Sequence, residues 1–166
     1  QVVDEGHDVL SYFTAWVSSF AEQCEKVTVV CLQKGKYSLP QNVEVVSLGK
    51  EESVSKATYL YRFFYYIFKY KNEYDFVFVH MNQVYILLGG IFWRLWGKDI
   101  SLWYNHRQSS FSLWLAEKFV NRIFTSSKQS FTLPTKKLII TNGHGLNLES
   151  LRPQNASIAK LDRNNL

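Results

Sequence analysis

Proline, glycine and cysteine are scarce in this chain, at 3, 8 and 2 residues in 166. With so few breakers, most of the chain can be regular structure. Two cysteines cannot staple a secreted mini-protein, and Cys24 and Cys31 form no CxxC pair. Both are expected to be reduced and buried, as in a cytosolic protein. No run of about 18 apolar residues occurs, so no spanning helix is expected. The opening residues have no basic region of the kind that begins a secretory leader. Gln1-Val2-Val3-Asp4 reads as the tail of a strand, so the chain is expected to be a fragment at both ends.

Several chemical signatures are missing as well. The histidines lack HxxxH spacing, so no metal site is expected. No GxxxxGK[ST] or GxGxxG follows a strand, and no GxSxG elbow occurs. Nothing resembles a nucleic-acid recognition motif, so nucleic acid is not an expected partner. A net charge of +5 permits an anionic partner but identifies none.

What remains is core-forming sequence: 46% hydrophobic against 20% charged, enough for one folded domain. Leu10, Phe13, Trp16, Val17 and Phe20 recur at helical spacing over 10–23. Further helices are predicted over 55–71, 83–97 and 111–122. Short β-branched runs predict strands over 26–32, 43–48, 75–81, 99–107, 123–127 and 137–141, with a loop over 34–41. Alternation of this kind predicts an α/β fold: a Rossmann-like parallel sheet with helices on both faces.

Such sheets bind ligands at the C-terminal ends of their strands. His80, His106 and His144 fall at predicted strand ends, and His7 in the first such loop. In "WYNHRQSS" (103–110), His106 can donate to a hydroxyl or phosphate. The other reading has it satisfying loop carbonyls only. Ser109 or Ser110 can cap the following helix, whose free amides attract anions. His80 is read as a packing residue or a ligand contact, with Asn82 capping the next helix. In "FTSSKQS" (124–130), Ser126 and Ser127 either bind phosphate or sugar or merely cap a helix. On the helix at 55–71, Arg62, Tyr65, Tyr66 and Lys69 share one face, and Tyr59, Phe63, Ile67 and Tyr70 another. Arg62 and Lys69 would face an anionic membrane surface. Otherwise this helix only covers the sheet.

The stretches "VTVVCL", "DFVFVHMN", "SLWYNH" and "IFTSS" follow one another, and "ITNGHGLNLESLRP" closes the series. Their order over residues 9–153 resembles the N-terminal half of a GT-B glycosyltransferase of the GT4 type. The resemblance implies an acceptor-binding Rossmann-like domain over 1–150. It makes 151–166 the start of an interdomain linker or a tail, with the second domain absent and the fragment inactive alone. It implies retaining transfer from a nucleotide sugar, as substrate and with no other cofactor, to a saccharide or lipid-linked acceptor. His106 would face the reaction centre. Gly6 would belong to the loop nearing the donor phosphates, and Gly145 and Asn147 to the interdomain crossing. His144 would face the cleft or cap the turn. His80, Arg107, Ser126 and Ser127 complete the set expected to touch acceptor or donor. The expected setting is polysaccharide or glycolipid synthesis in the cytoplasm, at the inner membrane face. A flavodoxin-like nucleotide-binding module and a peripheral membrane protein without chemistry are the alternatives.

Overall fold

The computed structural model of the chain describes residues 2–4 and 12–141. All strand pairs among them run parallel. Four strands lie side by side in chain order: β5 (Phe76–His80), β6 (Asp99–Trp103), β7 (Arg122–Thr125) and β8 (Leu138–Ile140). Parallel neighbours need a crossover. α3 (Val84–Leu95) crosses from β5 to β6, and α4 (Phe111–Phe119) from β6 to β7. Only a 3-10 turn at Lys128–Ser130 lies between β7 and β8.

In the N-terminal part, β2 (Val27–Cys31) pairs with β4 (Val43–Ser47), and β1 (Val2–Val3) with β3 (Gln33–Lys34). A bend at Leu32 is all that separates β2 from β3. One stretch of chain therefore serves β4 with its first part and β1 with its last. The expected loop over 34–41 begins one residue late, because Lys34 is still paired.

Side chains alternate across the sheet. On β5, Phe78 and His80 meet Trp16 of α1 (Tyr12–Gln23). Val79, between them, joins a core with Phe63 and Ile67 of α2 (Lys56–Lys69) and with Ile86 and Trp93 of α3. Thus α1 covers one face and α2, α3 and α4 the other, the two-faced parallel architecture the alternation predicts. Ile100, Leu102 and Ile123 are fully buried at its centre.

Three expectations are corrected. β6 stops at Trp103, so residues 104–110 form a loop. α4 stops at Phe119, because Asn121 is drawn to the sheet: its N–H donates to the Ile100 carbonyl and its Oδ1 accepts from the Ile100 N–H. Cys31 is buried, but Cys24 is exposed just after α1, where the chain turns at the surface; both are free thiols.

Candidate functional site

Parallel strands direct all their C-terminal ends to one rim. Its centre is the loop leaving β6. Tyr104 is buried, sets its ring edge-on to Phe131, and donates its hydroxyl to the Gln108 carbonyl. That folds the loop back on itself. Asn105 then joins three strand exits: its N–H points at Met81 Sδ at 3.3 Å, and its Oδ1 accepts from Ser126 Oγ at 2.7 Å. A longer contact of 3.5 Å comes from Thr125 Oγ1. Met81, directly after β5, has φ 60. The left-handed region is unfavourable for a non-glycine residue and turns the chain sharply out of the strand.

His106 and Arg107 follow Asn105 and are exposed. The Gln108 N–H donates to His106 Nδ1 at 3.1 Å. A nitrogen that accepts carries no proton, so the neutral ring keeps its proton on Nε2. His106 thus offers the rim a donor. The Arg107 carbonyl accepts from Thr132 Oγ1, which ties this loop to the segment after β7. Ser110 caps α4 by accepting the Leu113 N–H, and Asn82 Oδ1 accepts the Val84 N–H at the start of α3. The Gln83 amide donates to Ser112 Oγ, joining the two helix starts.

His106 and Arg107 follow β6 and Ser126 and Ser127 follow β7, so all four lie at adjacent strand exits on this rim. The serine hydroxyls are engaged, Ser126 on Asn105 and Ser127 on Ser130. Each oxygen retains acceptor capacity. His80 lies at the neighbouring strand exit, but its ring packs 5.3 Å from those of both Phe13 and Trp16. Burial there pushes its pKa down to about 4. It is neutral at pH 7 and belongs to the packing under α1. Arg62 forms a two-pronged ion pair with Glu52 at 2.6 and 3.0 Å, and Lys69 donates to the Tyr70 hydroxyl. Gly6, His144, Gly145 and Asn147 lie outside the described residues. Sequence reasoning assigns no role to Asn105 or Met81. A polar residue beside a histidine, opposite a Thr-Ser-Ser strand exit, is the one hint the sequence held. Among the described residues no three His, Cys, Asp or Glu side chains gather as a metal would require.

The sequence profile of the "Glycosyl transferase 4-like" family matches residues 3–132. No curated protein and no solved structure matches the chain.

Proposed function

Because the chain belongs to the glycosyl transferase 4-like family, we propose that it forms the acceptor-side domain of a retaining glycosyltransferase. The substrates in this reading are a nucleotide sugar and a saccharide or lipid-linked acceptor. The match from residue 3 to residue 132 carries the reading, because it spans the whole rim from Met81 to Ser130. A second domain, facing this rim, would hold most of the nucleotide sugar, and the rim would be inactive without it. The work belongs to polysaccharide or glycolipid synthesis in the cytoplasm, at the inner face of the membrane.

In the transfer, the anomeric C–O bond to the diphosphate breaks and a C–O bond to the acceptor hydroxyl forms on the same sugar face. The hydroxyl proton leaves with the departing phosphate. His106 Nε2–H faces this chemistry as a hydrogen-bond donor, to a phosphate oxygen or a sugar hydroxyl. Arg107 adds positive charge beside it, and Ser126 and Ser127 supply hydroxyls. The amides at the start of α4 favour the same anionic group.

The test is His106→Ala in the full-length enzyme, read as nucleoside diphosphate release from a panel of nucleotide sugars. Loss of one well-placed donor predicts a roughly hundredfold fall in turnover. The circular dichroism spectrum should not change, since the side chain is exposed. Full activity in the variant would reduce His106 to a loop residue.

A further inference from the structure

The α2–α4 layer has more apolar surface than its own packing uses. α3 buries Ile86, Gly89, Gly90 and Trp93, the single inward stripe a covering helix needs. Its outward stripe is apolar too: Val84, Ile91 and Leu95, with Ile91 53% and Leu95 77% exposed. α4 repeats the pattern. Leu113 and Ala116 point inward, while Phe111, Trp114 and Leu115 are exposed, Phe111 at 75%. Phe111 and Trp114 stack 5.4 Å apart. α3 and α4 are in close contact at Gly90 and Phe119, so the two outer stripes lie side by side. Of the fourteen large apolar side chains exposed among the described residues, ten sit on α2, α3 and α4. A patch of that kind marks a surface that something covers.

Charge narrows the choice. α3 and α4 carry two cations, Arg94 and Lys118, and one acid, Glu117, which is buried and pairs with Lys118 at 3.0 Å. The excess on these two helices is positive, so a second copy meeting the same face would offer no surplus of opposite charge to match it. Lys118 Nζ lies over the Trp114 ring at 5.3 Å, an aromatic body with a cation at its edge. Trp and Tyr flanking aliphatic side chains suit the boundary between headgroups and acyl chains, and the cations suit anionic headgroups. No described helix is long and apolar enough to cross a membrane, so contact would be by lying on the surface.

We propose that the outer face of α3 and α4, centred on Ile91, Leu95 and Trp114, seats the protein on an anionic lipid surface. This deepens the reading of a lipid-linked acceptor used at a membrane. It also explains the placement of the patch: Val84 and Phe111, the first residues of α3 and α4, open at the rim that carries His106. An amphiphilic acceptor would pass from the bilayer to the rim without crossing water. The face differs from the one formed by Arg62 and Lys69, whose cationic heads are held by Glu52 and Tyr70.

The experiment is sedimentation of the full chain with vesicles of phosphatidylcholine mixed with phosphatidylglycerol, and with phosphatidylcholine alone. The chain should bind the mixed vesicles, weakly or not at all the neutral ones, and less as salt rises. Ile91→Asp with Leu95→Asp should lower affinity at least roughly tenfold, from the apolar area lost to the interface. Leu95→Asp alone, at the most exposed of these positions, should lower it less and leave the fold intact by circular dichroism. Arg62→Glu with Lys69→Glu should do less than the Ile91 and Leu95 pair. Absence of binding to mixed vesicles, or equal binding by the double variant, would overturn the proposal. So would concentration-dependent self-association that Leu95→Asp abolishes, which would assign the face to a second copy. Vesicle binding needs neither donor nor acceptor, so its failure leaves the transfer reading intact, and the His106→Ala assay tests that separately.

Discussion

His80 and His106 leave neighbouring strands and meet opposite surroundings. His106 stands in solvent with one nitrogen fixed by a backbone amide; His80 is wedged against Phe13 and Trp16. The positions of both at strand exits were legible in the sequence, because they follow from the alternation of strands and helices. The inward turn of His80 was not, because it depends on two rings of a helix more than sixty positions earlier in the chain. The exposure of Cys24 was equally hidden, set by where α1 ends and not by the residue type. His80 carries a pH dependence with a definite sign. Its folded pKa, about 4, lies below the ordinary value of 6.5, so the unfolded chain takes up the proton first. The contribution is complete above pH 6.5 and is lost as pH falls toward 4. The loss is up to about 3 kcal/mol. Urea midpoints measured across that window should fall more steeply for the wild type than for His80→Leu, whatever the substitution costs at neutral pH. Parallel curves would show that the imidazole titrates normally.

At the scale of elements, the helix faces could be read with good fidelity. Phe63, Ile67 and Tyr70 of the α2 stretch all turn inward as their spacing implies. Tyr66 departs from the cationic face on which its spacing placed it, because its hydroxyl reaches the Ser47 carbonyl at 3.3 Å. Element ends were less legible: a β6 that stops at Trp103 and an α4 that stops at Phe119 are both decided by contacts with distant strands. Close approach of α3 to α4 rests on Gly90, where a Cβ would lie 3.0 Å from the Phe119 Cβ. Gly90→Val should therefore separate the helices and cost about 1–3 kcal/mol by urea unfolding. Gly90→Ala should cost less, since alanine regains up to about 1 kcal/mol of helix propensity. The reverse order would mean that α3 and α4 are not in firm contact there.

Over the whole molecule, the core divides unevenly. One cluster joins Leu48, α2, α3, α4 and the β5–β7 strands; a smaller one holds Val3, Val17, Val29, Cys31 and Val45. α1 ties the smaller cluster to β5 and β6, with Val17 in that cluster and Trp16 against Phe78 and Trp103. Fewer buried contacts mean that the β1–β4 part opens at lower free energy than the rest. Its thiols report this directly. Burial pushes the Cys31 thiol up to about 11, whereas Cys24 is exposed. Cys24 should react with a thiol reagent at once, and Cys31 only on opening, yet before the β6 amides exchange with solvent. Labelling of Cys31 no faster than β6 exchange would show one cooperative unit. The parallel layout and the rim were legible because they rest on periodicity repeated along the chain. The division of the core was not, since it follows from which helix bridges which strands. The bend at Leu32 has a consequence of its own. It uncouples two alignments made by a single run of backbone, five residue pairs with β4 and two with β1. One extra residue inserted there would leave the first alignment in step and flip Gln33 and Lys34 onto opposite sides. That short span is thus the hinge on which the placing of the first strand turns.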